Sequence, residues 1–240
     1  MKSILYKANS RGHANHGWLN SYHTFSFAEY HNPERTHFGV LRVFNDDTVD
    51  PGTGFGAHPH ANMEIVSIPL SGALEHRDST GRHKTIQSGE VQIMSAGKGI
   101  VHSEYNASKD EPVSFLQIWI IPEKTGIDPR YEQKEFDTTS QKNSFINVVA
   151  PDNPAALWIN QNAWFYLSEI SEGESANLII KNGRENGLFL FVIEGEIEVE
   201  NQFLETRDSL GLSDLNTENV SIKALRNSKV LAIELKMKWP

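Results

Sequence analysis

The sequence predicts an all-β protein made of two tandem β-barrels. Residues 64–97 contain short alternating apolar runs separated by turns at Ser71-Gly72, Ser79-Thr80-Gly81 and Ser88-Gly89. Short strands punctuated in this way are typical of antiparallel barrels and sandwiches. The second half repeats the form, because "LFLFVIEGEIEV" mirrors the strands around Gly72 with a glycine at the same place. No stretch has the apolar period of a long helix.

Composition limits the class of protein. The 240-residue chain is 38% hydrophobic and 22% charged, as expected of a soluble globular protein with one large or two moderate domains. A net charge of −9 argues against direct nucleic-acid binding, which needs Lys and Arg to neutralise phosphates. The absence of cysteine excludes disulfides and thiolate zinc sites. Because no signal-peptide core or membrane span is recognisable, we expect a cytoplasmic location and no membrane partner.

Aromatic residues, histidines and one predicted turn characterise residues 1–50. Phe25 and Phe27 alternate with polar neighbours, as does Tyr22 with Thr24, and this pattern predicts a half-buried strand. Four histidines here lack a second group of donors and are assigned to the surface or to packing: His13, His16, His23 and His31. Asn45-Asp46-Asp47 predicts a turn, since Asn and Asp side chains stabilise turns.

The strongest predicted strand of the first half is "PVSFLQIWIIP". Its alternation separates Leu116, Ile118 and Ile120 from Phe115, Gln117 and Trp119. An amide among bulky apolar neighbours needs hydrogen-bond partners. For Gln117 these are either a network around a metal site or backbone groups at a strand end. His76 and His83 lie beside charges near turns, so we expect both to be solvated.

Residues 126–140 have the charge, proline and glycine content of a connector. The predicted units are therefore an N-terminal domain at 1–125, this connector, and a C-terminal domain at 141–240. Aligning Gly72 with Gly195 puts Lys181 and Gly183 opposite His58 and His60. We therefore expect the second barrel to lack metal ligands and to have a structural role.

Two pairs of donor residues organise the first half. His58 and His60 form H-P-H, and His102 and Glu104 form H-S-E. Residues two apart on a strand point to the same face, so two neighbouring strands could aim four donors at one point. One such pair also arises by chance on solvent-facing strands. Two pairs within glycine-punctuated β sequence predict a metal site, and nitrogen with oxygen donors suits iron, manganese, nickel or copper.

The distribution of histidine assigns this site to the first half. All ten histidines lie at or before His102, so we expect one ion per chain, in the first barrel. Glu64 is a second carboxylate near the H-P-H pair. Strand parity does not decide between Glu64 and Glu104 as the oxygen donor, because a turn at Ala61-Asn62 could point Glu64 to either face.

These motifs resemble those of a known family. The stretch "GFGAHPHANMEIVSIPLSGALEHRDSTG", followed by "GEVQIMSAGKGIVHSEYN", is similar to the two cupin motifs and more specifically to the pirin family of two-cupin proteins. The resemblance implies that both barrels are double-stranded β-helices, or jelly rolls. It also implies a four-residue ligand set, in which Glu104 rather than Glu64 supplies the carboxylate: His58, His60, His102 and Glu104.

The resemblance also implies one divalent ion per chain, with Fe²⁺ the first expectation and manganese, nickel, copper, cobalt or zinc the alternatives. An octahedral ion held by four residues keeps two positions for a substrate oxygen and dioxygen. The ion lowers the pKa of a bound hydroxyl, and Glu104 could act as the base that takes its proton. Gln117 and Glu64 are expected to lie just outside the ligand set.

Three functions follow. Bacterial pirins are described as quercetin dioxygenases that open a flavonol ring with dioxygen and release carbon monoxide, so the first is a metal-dependent dioxygenase of flavonols or similar enols and phenols. The pirin of animal nuclei is described as an iron-binding transcription cofactor, so the second is a non-catalytic regulator acting through protein partners. The third is a cupin with other metal chemistry, such as isomerisation. We favour the dioxygenase.

Overall fold

The computed structural model describes residues 1–183 and 185–238. The regular secondary structure of these residues is almost entirely β-strand, which confirms the predicted all-β fold. A short 3-10 helix spans Ala8–Ser10. Among the described residues, no helix has the length and hydropathy needed to span a membrane. The strands of the first half are β1 (Lys2–Tyr6), β2 (Gly12–Asn15), β3 (Leu19–His23), β4 (Leu41–Val49), β5 (Gly54–His60), β6 (Glu64–Ser71), β7 (Ala73–Asp78), β8 (His83–Gln87), β9 (Glu90–Ser95), β10 (Ile100–Asn106), β11 (Val113–Ile120) and β12 (Arg130–Glu135).

The second half continues with strands of the same kind. They are β13 (Ile146–Ala150), β14 (Leu157–Trp158), β15 (Ala163–Ile170), β16 (Ser175–Ile179), β17 (Asn186–Glu194), β18 (Glu196–Val199), β19 (Gln202–Glu205), β20 (Ser209–Ser213), β21 (Asn219–Ala224) and β22 (Ser228–Lys236).

The two barrels have matching sheets. The first combines the strand orders β12-β9-β6-β11-β4-β3-β2 and β5-β10-β7-β8, and the second combines β1-β20-β17-β22-β15-β13-β14 and β16-β21-β18-β19. Gly72 and Gly195 precede equivalent strands with φ of 72° and 95°, a region that favours glycine. The internal repeat inferred from the sequence is therefore present as two tandem cupin barrels.

Two edge strands depart from the predicted division of the chain. β1 pairs with β20 and extends the sheet of the second barrel. β12, which lies in the predicted connector, pairs with β9 and extends the sheet of the first. Each strand covers an edge that would otherwise expose unpaired backbone groups. The predicted domain boundaries at residues 125 and 140 therefore do not match the pairing of β1 and β12.

The two seven-stranded sheets share a hydrophobic core. Phe44 of β4 packs against Phe189 and Phe191 of β17, with ring centroids 5.1 and 4.8 Å apart. Three more rings from the first half surround Phe189: Tyr6, Phe25 and Phe38. The predicted strand over Phe25 and Phe27 is wrong, because β3 ends at His23 and Phe25 enters this core from the segment that follows.

The predicted turn at Asn45-Asp46-Asp47 is also wrong, because all three residues lie buried within β4. Asp46 pairs with Arg11, which directly precedes β2, at 3.0 Å and with Arg207 of the second barrel at 3.4 Å. Asn45 and Asp47 point the other way and line the interior of the first barrel. A run of Asn and Asp has the composition of a turn, and only the pairing of β4 with β3 and β11 shows that it is a strand.

The shared aromatic core predicts a large effect of truncation at its centre. We expect Phe189→Ala to lower the free energy of unfolding by about 3–5 kcal/mol, because a fully buried ring is replaced by a cavity. Phe203→Ala is the matched control, since Phe203 is 62% exposed and should change stability by less than about 0.5 kcal/mol. Urea unfolding measures both. If Phe189→Ala lost no more stability than Phe203→Ala, the two barrels would not depend on this core.

Candidate metal centre

Strands β5 and β10 bring the two predicted donor pairs together. They are antiparallel neighbours, with His102 opposite His58 and Ile100 opposite His60. The register shifts between His102 and Glu104, a bulge that changes how side chains are aimed. Gly54 allows the close approach, because a Cβ there would meet the carbonyl oxygen of Glu104. The local pairing therefore sets the position of every candidate donor.

Three imidazoles converge at this point. Donor nitrogens of His58, His60 and His102 lie within 4.8 Å of one another. The Nδ1–H of His58 donates to the carbonyl oxygen of Gly56 at 2.7 Å, which leaves its Nε2 lone pair for another partner. Both ring nitrogens of His102 are buried without a hydrogen-bond partner. Buried polar atoms are rarely left unpaired, so the three residues fit a metal ion.

The protonation states also suit a metal. Burial, together with the neighbouring His102 and His58, lowers the pKa of His60 to about 4. Burial lowers the pKa of His102 to about 3, with His58 and His76 contributing. Both imidazoles are therefore neutral at pH 7, the form in which histidine binds metals.

Glu104 lies at the edge of this cluster. Its carboxylate is within 4.8 Å of donor atoms of His102 and His76 but does not belong to the trio that includes His58 and His60. Gln117 Nε2 donates a hydrogen bond to Glu104 Oε2 at 2.6 Å. Gln92 Nε2 lies 3.4 Å from Oε1 on the other side.

A chain of polar side chains holds Glu104 in place. Gln92 Nε2 donates to Ser67 Oγ at 3.2 Å, and the Ser67 hydroxyl donates to Gln117 Oε1 at 2.7 Å. Strand register explains the chain, because Gln117 is opposite Ser67 and Ser67 is opposite Gln92. The amide of Gln117 therefore has side-chain partners at the candidate site rather than backbone partners at a strand end.

His76 is not solvated as predicted. It is fully buried, and its Nε2 lies 3.1 Å from Asp78 Oδ2. β7 is an inner strand of its sheet and places His76 opposite Glu104, with the imidazole 5.3 Å from that of His102. The charged neighbours in the sequence lie on the other face of β7, which is why His76 appeared to be exposed.

Glu64 does not join the site. Its carboxylate accepts hydrogen bonds from Ser95 Oγ at 2.8 Å and from the backbone N–H of Asn160 at 3.2 Å. Asn62 in the preceding turn has φ of 51°, and β6 then sends Ser67 into the barrel and Glu64 to the opposite face. The expected place of Glu64 beside the metal ligands is therefore corrected.

A cavity of 420 Å³ opens beside the imidazoles, within the range of small-molecule sites. His58, His60, Glu104 and Gln117 line one part of it. Aromatic rings form another, because Trp119 packs edge-on against His60 at 4.8 Å and against Phe27 at 5.4 Å. The remaining wall contains polar residues that the sequence did not suggest as functional: Ser21, His23, Asn45 and Asp47.

Comparison with known families and proteins agrees with the fold and the site. The Pirin family model matches residues 6–120, and the model described as the quercetinase C-terminal cupin domain matches residues 147–235. A quercetin 2,3-dioxygenase of Escherichia coli (strain K12) is 43% identical over 231 residues, which cover 96% of this chain and 97% of the relative. A putative quercetin 2,3-dioxygenase of Pseudomonas aeruginosa is 42% identical over 93% of this chain and 95% of that protein.

A solved structure is similar over nearly the whole chain. The bacterial pirin YhhW from Escherichia coli, in complex with nickel(II), superposes with a TM-score of 0.91 at 41% identity, covering 98% of this chain and 99% of that one. Together with the donor cluster in the first barrel, this likeness indicates a metal site.

The burial of Glu64 predicts a pH effect on stability. Burial raises its pKa to about 7, above the value of about 4.3 for a free glutamate. The folded chain therefore keeps a proton that the unfolded chain releases, so this group's contribution to stability falls as pH rises from about 4.5 to 7. Glu64→Gln removes that dependence. Between pH 5 and pH 8, we expect the melting temperature of Glu64→Gln to rise by about 2 °C or more relative to that of the native protein.

Glu218→Gln, at an exposed glutamate, is the control for that comparison and should track the native protein at every pH. A constant difference between the native protein and Glu64→Gln across this range would contradict the raised pKa of Glu64.

Proposed function

This chain belongs to the pirin family, and we propose that it is a metal-dependent dioxygenase that opens flavonol-like substrates such as quercetin and releases carbon monoxide. The observation that carries this proposal is the 420 Å³ cavity lined by His58, His60 and Glu104. A metal that served only as a regulatory sensor would not need a chamber of this size beside it. The names of the two relatives support the same chemistry.

We further propose that His58, His60, His102 and Glu104 hold one Fe²⁺ per chain. The three imidazoles already converge, and Glu104, whose carboxylate lies within 4.8 Å of a His102 nitrogen, would be the fourth donor while it keeps its hydrogen bond from Gln117. The nickel complex of the Escherichia coli pirin supports a first-row transition ion. Manganese, nickel, copper, cobalt and zinc are the alternatives to iron that metal analysis would distinguish.

The metal would supply Lewis acidity and a meeting point for substrate and dioxygen. The residues of the chain supply the rest. Trp119 and Phe27 present aromatic surface on which a flat ring system can pack. The Glu104 carboxylate takes the proton of the substrate hydroxyl. Gln117, oriented by Ser67, donates to Glu104 Oε2 and so positions that carboxylate before and after the transfer.

The first test combines metal content with oxygen uptake. We expect the purified protein to hold one transition metal per chain and to consume oxygen and release carbon monoxide with quercetin. His60→Ala should lose the metal and the turnover, because it removes a ligand. Glu64→Gln is the matched control and should keep both, since Glu64 contacts Ser95 and Asn160 instead.

Two outcomes would contradict the proposal. Metal loss in Glu64→Gln with retention in His60→Ala would overturn the ligand assignment. A metal-loaded protein that binds flavonols without consuming oxygen would favour the regulatory function over the dioxygenase.

The role of Gln117 gives a separate prediction. We expect Gln117→Leu to lower quercetin turnover about 10–100-fold, the usual effect of removing a hydrogen-bond partner of a metal ligand, while metal content stays near one per chain. Gln87→Leu, at an exposed position, should leave turnover unchanged. Steady-state oxygen uptake and elemental analysis measure the two quantities, and equal activity of both variants would show that Gln117 does not position Glu104.

A further inference from the structure

Three buried polar residues form a hydrogen-bonded chain in the cavity wall formed by β3 and β4. Ser21 Oγ lies 2.7 Å from His23 Nε2 and also hydrogen-bonds with Asp47 Oδ1. Ser21 is 2%, His23 3% and Asp47 3% exposed. All three line the same cavity as the candidate metal ligands, but none of them hydrogen-bonds to those ligands.

Two acceptor-capable atoms on this wall have no partner. His23 Nδ1 and Asn45 Oδ1 are buried without a hydrogen bond. Strand register places these residues side by side, because His23 is opposite Asn45 on β4. Two unpaired atoms at neighbouring positions are unusual in a folded protein, and both residues line the cavity. A bound molecule is the natural partner for them.

The hydrogen-bond chain identifies the chemical group that fits. When Asp47 is ionised, the Ser21 hydroxyl donates to it, His23 Nε2–H donates to Ser21, and His23 Nδ1 is an acceptor. When Asp47 is protonated, the chain can run in the opposite direction and Nδ1 becomes a donor. Burial raises the pKa of Asp47 to about 7, so both forms exist near neutral pH. A hydroxyl group both donates and accepts, so it pairs with His23 Nδ1 in either form. When Nδ1 donates to the hydroxyl oxygen, the hydroxyl hydrogen can be donated to Asn45 Oδ1.

We propose that His23 and Asn45, supported by Ser21 and Asp47, form a second hydroxyl-binding subsite that selects substrates with a hydroxyl group remote from the reacting one. This inference rests on the proposed function for the identity of the substrate. The position of the subsite agrees with it, because Asn45 is also opposite Gln117. At a strand spacing of about 4.8 Å, His23 lies about two strands, or roughly 10 Å, from Gln117 across the sheet. That separation matches the length of a fused two-ring core.

Paired ligands test this subsite. Under nitrogen, so that nothing turns over, calorimetry would compare the binding to the metal-loaded protein of 3-hydroxyflavone and 3,7-dihydroxyflavone, which adds a single hydroxyl at the far end of the fused two-ring core. We expect 3,7-dihydroxyflavone to bind about threefold to tenfold more tightly, the worth of one hydrogen bond. In His23→Phe, which keeps a ring against Phe27, the preference should disappear while 3-hydroxyflavone binds within about twofold of its native affinity. His31→Phe, at an exposed position, is the matched control and should keep the preference.

A second variant covers the case in which His23→Phe does not fold. Asn45→Ala removes the other unpaired acceptor and should also reduce the preference. The native comparison needs no variant, and equal binding of the two ligands, or binding of neither, would overturn the subsite. Preferential binding of 3,7-dihydroxyflavone under nitrogen, together with no oxygen consumed when flavonols are supplied in air, would leave the subsite intact and refute the dioxygenase function. Persistence of the preference in a folded His23→Phe would assign the extra hydroxyl to other residues.

Discussion

The pairing of β5 with β10 is the constraint on which the rest of the site depends. With His102 opposite His58, one register brings three imidazoles together inside a barrel. A slip of one residue would turn a strand's side chains to the other face and disperse the donors. The same geometry explains why the site is preformed, because the ladder hydrogen bonds rather than the metal hold the two strands. The unpaired nitrogens of His102 are the part of the arrangement that a metal completes.

The polar interior of the first barrel forms a continuous row across its large sheet. His23, Asn45, Gln117, Ser67 and Gln92 are opposite one another on successive strands, and hydrogen bonds from the end of this row reach Glu104. The second barrel has the same sheet order but packs leucine, isoleucine and valine inside. Its buried Glu234 accepts hydrogen bonds from the backbone N–H groups of Lys181 and Asn182 and from Asn186. These partners satisfy the carboxylate within the protein.

The fold and the donor cluster could be predicted because both depend on short-range periodicity. The donors of H-P-H and of H-S-E are two residues apart, a spacing that places both side chains of a pair on one face of a strand. The glycine-marked repeat revealed the second barrel. The errors arose where polar residues are buried on strands. Asn and Asp are residue types typical of turns, which misled the interpretation of Asn45 and Asp47. The charged neighbours of His76 suggested that it was exposed to solvent. The burial of all three residues depends on their cross-strand partners. Glu64 was misplaced because its face depends on the conformation of Asn62. The subsite around His23 could not be predicted, since Ser21 and Asp47 meet only through the pairing of β3 with β4.

We propose that His58, His60 and His102 with Glu104 hold the ion, although the structure also brings His76, His102 and Glu104 within 4.8 Å of one another. The position of the ion separates these arrangements directly. Crystals of the metal-loaded protein should be measured at the absorption edge of the bound metal, and the anomalous difference map should be calculated. We expect a single strong peak per chain among the nitrogens of His58, His60 and His102. A peak beside His76 that excludes His58 and His60, or a second peak in the C-terminal barrel, would contradict it.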